Sequence, residues 1–425
     1  MSTTAQPQNS LRHVLFGSLI GTTIEFFDFY IYANAAVLVF PQLFFPGTDS
    51  TTSVLQSLAT FSIAFFARPI GSAVFGHYGD KIGRKTTLVV ALLTMGISTV
   101  CIGFLPSYAS IGITAPILLM LCRFGQGVGL GGEWGGAVLL AIENAPPHKR
   151  AWYGMFPQLG APIGLVLSGG TFLLLTNSMS SQDFLEYGWR IPFIASSLLV
   201  LVGFYIRLKI TETAAFENAK QEQEEVKLPF VTLLKSYRKE LLFGTFAAVT
   251  TFVVFYLMTV FMLNWNTKEL HFSNKEALLI QLFSVLFFAG FIPISAIIAD
   301  KIGRRKMLIY ASLAIAVFGL FFSQFLNSGS TVLVTLFLCL GMALMGFTYG
   351  PIGTFLSELF PTTVRYSGAS LTFNLAGIIG AAFAPMIAIW IATNYGLDFV
   401  GYYLSAAAII SMISLLVISK KEHQF

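Results

Sequence analysis

Charged residues are scarce in this chain. Asp, Glu, Lys and Arg make up 11% of its 425 residues, whereas about a quarter of residues carry charge in an average soluble domain. Hydrophobic residues make up 55%, and the mean hydropathy is +0.75. The composition therefore excludes an ordinary soluble globular protein and places the chain in a lipid bilayer.

Cysteine and histidine are scarce as well. The three cysteines lie in apolar runs without metal-ligand spacing, so we expect packing residues and no disulfide framework; they are Cys101, Cys122 and Cys339. The chain has neither a His-Glu-x-x-His motif nor an obvious Ser/His/Asp arrangement. Its five histidines all lie near the ends of apolar runs: His13, His77, His148, His271 and His423. A metal centre and an intramembrane enzyme are therefore not expected.

Long apolar runs are what the chain has instead. A run of about 20 residues crosses a hydrocarbon core of about 30 Å, and helices satisfy their own backbone there. Residues 1–10 are polar and uncharged, so we expect no removable signal peptide and an insertion signal in the first helix. The predicted fold is all-α, with twelve transmembrane helices near 14–41, 53–78, 86–105, 113–143, 152–176, 190–207, 241–266, 274–299, 307–326, 331–358, 367–393 and 397–419.

Two motifs occur twice, about half a chain apart. Asp80-Lys-Ile-Gly-Arg-Lys85 returns as Asp300-Lys-Ile-Gly-Arg-Arg305, and Glu143-x-x-Pro-x-x-x-Arg150 returns as Glu358-x-x-Pro-x-x-x-Arg365. This duplication predicts two homologous six-helix bundles related by an axis along the membrane normal, an arrangement found in secondary transporters. The predicted bundles are residues 1–207 and 241–425, joined by a charged cytoplasmic linker, 208–240, that is helical in part.

The positive charges are distributed unevenly. Of the 25 Lys and Arg residues, three fall in loops on one side (Arg190, Lys268 and Lys275) and two inside spans, which leaves 20 on the other side. Cytoplasmic loops carry the excess of Lys and Arg. We therefore expect a multi-pass protein of the cytoplasmic (inner) membrane, with both termini in the cytoplasm.

Five charged side chains lie away from the ends of the predicted spans, toward the middle of the bilayer: Glu25, Asp28, Arg68, Arg123 and Glu133. Each costs at least about 2.5–3.5 kcal/mol at the bilayer centre, which calls for a partner, a wet cavity or a function. At about 1.5 Å per residue, Glu25, Arg68 and Glu133 reach a similar depth, and Arg123 and Asp28 lie nearer the outer face. The four residues Asp28, Glu133, Glu25 and Arg123 are the candidates for proton coupling. A buried ion-pair network that only holds helices together is the alternative.

The spans of the second half carry no charge away from their cytoplasmic ends, so ion coupling is expected mainly in the first half. Asn374 interrupts an apolar, glycine-rich run, where it could bind substrate or join helices. The candidate contacts for a polar substrate are Arg68, Tyr32, Gln126, Gln158, Tyr256 and Asn374.

The repeated motifs also contain acidic residues, which anchoring of the topology would not need. We expect ion pairs across the halves that close the cytoplasmic side, and plain positive-inside anchoring is the alternative. The candidate gate residues are Asp80, Arg84, Glu143, Arg150, Asp300, Arg304, Glu358 and Arg365.

Glycines cluster inside the predicted helices, as in 127–132. Gly127-x-Gly129-x-x-Gly132 fits a dinucleotide-binding fingerprint, but it lies in mid-span without the preceding strand that this site requires. We reject a nucleotide site and expect small helix faces that let backbones touch.

These motifs resemble a known family. Residues 76–85 and Arg123-x-x-Gln126-Gly127 resemble the major facilitator superfamily, and Glu25-Phe-Phe-Asp-Phe29, Arg68-Pro-Ile-Gly71 and Gly131-Gly-Glu-Trp-Gly-Gly136 resemble its metabolite:H⁺ symporter family. The resemblance implies proton-driven uptake of shikimate, citrate, 2-oxoglutarate, proline, betaine or another small polar metabolite. It also implies that Arg68 binds a carboxylate and that Asp28 or Glu133 carries the proton.

Other functions remain open at this point. Gly160-Ala-Pro-Ile-Gly164 resembles, incompletely, a motif of drug/proton antiporters, so export is the main alternative to uptake. A substrate-sensing receptor would require an extra signalling domain. The expected partners are a small-molecule substrate, protons and the lipid bilayer, with no nucleic acid and no cofactor, and the expected oligomeric state is a monomer.

Overall fold

A computed structural model describes residues 11–47, 49–82, 84–209, 229–361 and 364–418; the side chains of 11–14, 76–88, 207–209 and 229–232 are outside the description. Within these ranges the chain is helical, and twelve long helical segments, α1–α12, follow one another. They are α1 (Leu11–Leu38), α2 (Ser50–Ile82), α3 (Arg84–Gly103), α4 (Thr114–Gly131 and Trp134–Glu143), α5 (Arg150–Ser178), α6 (Arg190–Lys209), α7 (Arg238–Tyr256, Leu257–Phe261 and Met262–Lys268), α8 (Asn274–Ile302), α9 (Arg304–Gly319), α10 (Thr331–Glu358), α11 (Arg365–Gly377, Ile378–Ala382 and Ala384–Tyr395) and α12 (Leu397–Val417).

Length and composition alone identify fewer spans than twelve. Among the described residues, seven helices are long and apolar enough to cross a membrane, and an eighth counts if the bent pair Ser181–Gly188 and Arg190–Ile206 forms one span. The segments outside this set are α1 and α4, which carry buried charges, and the shorter α3 and α9. The twelve-helix all-α prediction is confirmed. The four segments that composition alone does not identify as spans pack against the other long helices.

The two halves pack in the same pattern. In the first half α2 packs on α4, α3 on α6 and α1 on α5; in the second, α8 packs on α10, α9 on α12 and α7 on α11. The interface between the halves follows the same symmetry, because α5 packs on α8 and α2 packs on α11. The end of the molecule that carries the repeated motifs is called the motif side below, and the other end the opposite side.

Several helix boundaries differ from the sequence prediction. The predicted helix 113–143 is interrupted, because Gly132 and Glu133 form a tight turn in which the Glu133 N–H donates to the Leu130 carbonyl at 3.2 Å. Glycine has the weakest helix propensity after proline, and four of the six residues in 127–132 are glycines. The predicted helix 307–326 begins at Arg304, ends at Gly319 and resumes as the short helix Phe322–Leu326.

The second copy of the repeated motif contains a tight connection between two helices. Gly303 connects α8 to α9 with φ of 97°, a conformation that glycine adopts readily and other residues avoid. The linker 210–228 lies outside the described residues, and Pro229–Ser236 forms a helix before α7. The proposed division into 1–207, 208–240 and 241–425 stays a prediction.

Candidate functional site

A cavity lies between the two halves, near the middle of the long helices. The first half contributes Glu25 and Arg68 to it, and the second half contributes Tyr256, Tyr349 and Asn374. The remaining lining is mainly aromatic and apolar: Phe26, Tyr30, Leu130, Trp134, Ala161, Thr251, Phe252, Phe255, Phe288, Met345 and Phe373. We call this space the central cavity. It brings together three of the predicted substrate contacts, Arg68, Tyr256 and Asn374.

The central cavity is almost closed. About 30 Å³ is open to the centres of water molecules, and one water needs about 10–15 Å³ by this measure. Two waters fit, but a metabolite does not. The structure is therefore an occluded arrangement, and the halves must separate at one end before a substrate enters or leaves.

Glycines allow α2 and α4 to touch beside Arg68. A Cβ on Gly131 would overlap the carbonyl of Arg68, and a Cβ on Gly71 would overlap the carbonyl of Val128. The backbones of α2 and α4 therefore touch at this level, which confirms the expectation for the glycine clusters. Ser72, next to this contact, donates to the Gly131 carbonyl.

Arg68 is buried with few protein hydrogen bonds. Its guanidinium lies 4.7 Å from the ring centre of Phe29 and 4.6 Å from that of Phe65, and its Nε has no partner among the described residues. It interacts electrostatically with Glu25 and with nearby tyrosine hydroxyls. A planar, permanently charged guanidinium with spare donors suits a carboxylate.

Asp28 lies one helical turn from Glu25 but does not line the central cavity. It is fully buried and accepts a hydrogen bond of 2.5 Å from Ser196 on α6. The Thr99 hydroxyl on α3 lies close to its carboxylate. Its second oxygen, Oδ2, has no partner among the described residues. Gln126 on α4 donates to the same Thr99 hydroxyl at 2.8 Å.

This network continues to Arg123. Its Nη1 donates to Gln126 Oε1 at 2.9 Å, and its guanidinium lies 4.2 Å from the ring centre of Phe29 and 4.1 Å from that of Tyr32. The predicted substrate contacts Gln126 and Tyr32 thus lie in the bundle interior around Arg123. Because Phe29 contacts the guanidiniums of both Arg68 and Arg123, one ring joins the central cavity to the Asp28 network.

Glu133 lies elsewhere. It is buried and lines a separate pocket inside the first half, between α1, α4 and α6. Its neighbour Trp134 lines the central cavity instead, so these two adjacent residues face different sides of α4. The sequence prediction of a depth shared with Glu25 and Arg68 does not put Glu133 in the same cavity.

The predicted substrate contacts Asn374 and Gln158 also bind protein groups. Asn374 Nδ2 donates to Ser72 Oγ at 2.8 Å, which joins α11 to α2. Gln158 accepts from Trp134 Nε1 at 3.1 Å and donates to the Tyr349 carbonyl at 3.0 Å. Gln158 therefore crosses the interface just outside the central cavity.

The motif side of the cavity is closed by groups that the sequence did not single out. The Trp134 and Phe373 rings stack with centres 3.6 Å apart and nearly parallel planes, and Tyr366 donates to the Gly132 carbonyl at 2.7 Å. The glycine-rich stretch around Glu133 was the available signal, because residues without side chains mark a close approach. The stack separates the central cavity from the motif side.

Asp300 and Arg304 form a second layer of closure. Asp300 accepts from the Ala151 N–H at 3.0 Å and the Trp152 N–H at 2.9 Å, so that it caps the start of α5 in the other half. Arg304 donates to Asp300 at 2.8 Å and lies 3.8 Å from Glu358. This position is where a carboxylate is stabilised by free N–H groups and the helix dipole.

The remaining predicted gate residues cluster nearby. Arg365 donates to the Phe360 carbonyl at 3.1 Å and interacts electrostatically with Glu143 and Glu358, and Arg150 interacts with Glu358. The side chains of Asp80 and Arg84 lie outside the described residues, so their gate role stays a prediction.

The opposite side is bridged as well. Ser62 on α2 donates to the Ala382 carbonyl on α11, and Lys275 Nζ at the start of α8 donates to Asn177 Oδ1 near the end of α5 at 2.9 Å. Both ends of the interface therefore contribute to the occlusion.

Three comparisons place the chain among known proteins. The profile of the Major Facilitator Superfamily matches residues 18–379. The inner membrane metabolite transport protein YhjE of Escherichia coli K12 is 54% identical over 98% of this chain and 96% of its own length. The proline/betaine transporter of Salmonella typhimurium LT2 is 35% identical over 97% of this chain and 84% of its own length.

The fold has solved neighbours. The E. coli xylose transporter XylE, in a partially occluded inward-open conformation, superposes with a TM-score of 0.77 at 18% identity, covering 98% of this chain and 99% of XylE. At that identity the likeness concerns the fold. The profile match and the full-length relatives settle the family, and the chain belongs to the major facilitator superfamily.

Proposed function

We propose that this protein is a proton-coupled symporter that takes up a small carboxylate or zwitterion by alternating access. Its family makes it a multi-pass membrane transporter and not an enzyme. The relatives named above carry metabolites, among them proline and betaine, both of which contain a carboxylate. The proposal extends that chemistry to the central cavity.

The pairing of Glu25 with Arg68 on one cavity carries the proposal. An ionised Glu25 neutralises part of the field of Arg68, and a protonated Glu25 leaves the guanidinium free to bind a substrate carboxylate. Opposite charges at a desolvated site interact strongly, because water screens them little. The proton and the substrate therefore favour each other's binding at this site.

The sign of the pH effect follows from this linkage. Each ligand must change the other's affinity by the same factor, so substrate affinity rises as the pH falls and Glu25 takes up a proton. At high pH, where Glu25 is ionised, Arg68 is partly neutralised and affinity falls. Tyr256 and Asn374, contributed by the second half, supply neutral polar contacts.

Asp28 is the proton relay between Glu25 and the opposite side of the molecule. It lies three residues along α1, about 4.5 Å by helix rise, and its hydrogen bond from Ser196 leaves Oδ2 free to take a proton. We assign the motif side to the cytoplasm, because it carries most of the Lys and Arg residues. Transport then requires no cofactor, and a monomer suffices.

Export by proton antiport is the second candidate. The phenylalanines of the central cavity, such as Phe252, Phe255 and Phe288, would suit an apolar drug. An apolar substrate would not need Arg68, however, so export predicts transport that survives the loss of this residue.

Uptake into proteoliposomes decides between the two. The panel is labelled shikimate, monocarboxylates, dicarboxylates, citrate, proline and betaine, each measured with and without an inward proton gradient. The variants are Glu25→Gln, Asp28→Asn and Arg68→Ala. Accumulation of one compound that requires the gradient, and that all three variants lose, supports symport.

Two results would contradict the proposal. Substrate accumulation that is the same with and without the proton gradient would show that transport is not coupled to protons. Transport of an apolar drug that Arg68→Ala retains, in place of any carboxylate, would move the assignment to export.

A further inference from the structure

The pocket that contains Glu133 is separate from the central cavity, although it borders the same helix. Glu133, Gly136, Ala137 and Leu140 line it from α4, Gly203 and Ile206 from α6, and Gly17, Ser18, Gly21 and Thr22 from α1. It has about 50 Å³ open to the centres of water molecules, more than the central cavity has. By the usual measure it holds about three to five waters.

Its lining is suited to water. Ser18 is buried, and its Oγ has no protein partner among the described residues. A buried hydroxyl without a partner costs about 1–3 kcal/mol, and water in the pocket removes that cost. Glu133 is the single titratable side chain among the lining residues.

The pocket lies on the motif side of Glu25. Along α1, Thr22 and Ser18 line the pocket, and Glu25, one turn further from the motif side, lines the central cavity. Along α4, Trp134 closes the central cavity by stacking on Phe373, whereas the adjacent Glu133 turns into the pocket. A proton that passes from Glu25 to Glu133 therefore bypasses the stack that blocks the substrate.

We propose that this pocket is a hydrated proton vestibule, through which Glu133 exchanges its proton with water on the motif side while the substrate path stays closed. The protonated Glu133 carboxyl gives its proton to a water of the vestibule, which leaves a carboxylate and a hydronium ion that diffuses to the motif side. The Glu133 carboxylate then takes up the proton that the Glu25 carboxyl releases. The inference rests on the proposed symport, and it gives proton and substrate different exits.

Cysteine accessibility tests the vestibule without any transport measurement. In a background in which Cys101, Cys122 and Cys339 are replaced by serine or alanine, single cysteines are introduced as Ser18→Cys in the vestibule, Ala161→Cys in the central cavity and Ile24→Cys as a buried control on α1. Membrane vesicles of both orientations are exposed to a charged, membrane-impermeant methanethiosulfonate reagent. The reagent needs water to reach and ionise the thiol.

The expected result is labelling of Ser18→Cys from the motif side only, at least 10-fold faster than Ile24→Cys and faster than Ala161→Cys. Reactivity as low as that of Ile24→Cys would show a dry pocket and overturn the inference. Labelling of Ser18→Cys only under conditions that also label Ala161→Cys would make the pocket part of the substrate path, which also overturns it. Neither result depends on symport, so the vestibule can fail while the proposed function stands.

A second variant measures the role of the vestibule in coupling. Ala137→Leu fills the pocket with apolar atoms, and Ala388→Leu, a buried alanine on α11, controls for overpacking. We expect Ala137→Leu to slow gradient-driven uptake at least 10-fold while exchange of labelled for unlabelled substrate, with no net proton movement, persists. Equal loss of uptake and exchange in Ala137→Leu, beyond that in Ala388→Leu, would contradict the separate exit.

Discussion

The two halves share one architecture but differ in their buried charge. Five charged side chains lie away from the ends of the described spans of the first half, at Glu25, Asp28, Arg68, Arg123 and Glu133, and all are buried. In the described spans of the second half, away from the motif side, the buried polar groups are neutral, such as Thr251, Gln281 and Asn374. Both halves nevertheless line the same cavity.

The difference indicates a division of labour. A charge in the membrane interior persists only where it has a function or a compensating network. In the first half, the contacts around Arg123 and Phe29 form such a network and join it to the central cavity. The second half supplies aromatic surface and neutral hydrogen bonds. Five substitutions test whether coupling and recognition separate in this way, and they follow in order of decreasing expected effect.

The largest effect is expected for Glu25→Gln. The amide keeps the shape of the side chain but cannot exchange a proton, so gradient-driven accumulation should be abolished and the pH dependence of substrate affinity should disappear. Uptake and equilibrium binding across a pH series measure both. Glu276→Gln in the second half, at a solvent-exposed capping box, is the matched control. Retained accumulation in Glu25→Gln would place coupling elsewhere.

Arg68→Ala should weaken substrate binding by at least about 30-fold, because removing one member of a buried charge pair costs about 2–5 kcal/mol. Arg68→Lys should restore part of this, since a lysine keeps the charge but not the planar fork. Isothermal titration with the transported compound measures the change. Unaltered affinity in Arg68→Ala would make Arg68 a structural residue that only orders Phe29 and Phe65.

Gly131→Ala tests the backbone contact that positions Arg68. The added methyl meets the Arg68 carbonyl, so the protein should lose about 1–3 kcal/mol of stability, seen as a lower midpoint of thermal unfolding in detergent. Gly290→Ala on α8 has nothing within 4 Å of the added atom and should be neutral or slightly stabilising. Equal midpoints in the two variants would contradict the α2–α4 contact.

Asp300→Ala should loosen the motif side. It removes both hydrogen bonds to the start of α5, and an N-cap of this kind contributes about 1 kcal/mol, or roughly fivefold in the population that is open at this side. Spin labels at the exposed Lys149 and Lys301 should report longer distances. Asp398→Ala, at the opposite side of the same half, is the control and should leave the spin-label distances unchanged. If Asp300→Ala changes these distances no more than Asp398→Ala does, Asp300 has no gate role.

Tyr256→Phe should have the smallest effect. The loss of one hydroxyl from the central cavity should weaken substrate affinity by about threefold, toward the lower end of the value of one ordinary hydrogen bond. The pH dependence of binding should stay intact, in contrast to Glu25→Gln. If Tyr256→Phe alters the pH dependence of binding, the second half takes part in proton coupling, and the proposed division between the halves is wrong.

Much of the fold was predictable because its determinants are local. The length and polarity of each apolar run define a span, and the repeated motif defines the turn at Gly303. The interruption at Gly132 and Glu133 was missed because hydropathy does not register a glycine-rich break inside an apolar run.

The site was predictable in part. Glu25 and Arg68 were found because a charge in an apolar run is conspicuous on its own. Tyr30, Trp134 and Phe373 were not selected, since aromatic residues line cavities and pack cores alike. Tyr32 and Gln126 stay predicted substrate contacts, but their position around Arg123 could not be predicted, because helix depth does not tell which way a side chain faces.

The sequence by itself therefore determined the bilayer environment, the twofold repeat, the helices and the identity of the five buried charges, because each depends on composition or spacing along one segment. Tertiary structure decided which charges share a cavity. Glu25 and Arg68 meet between the halves, Asp28 and Arg123 join a network inside the first half, and Glu133 faces its own pocket. Those placements depend on how helices rotate against one another, and that rotation is set by close contacts such as Gly131 against Arg68, which no single segment encodes.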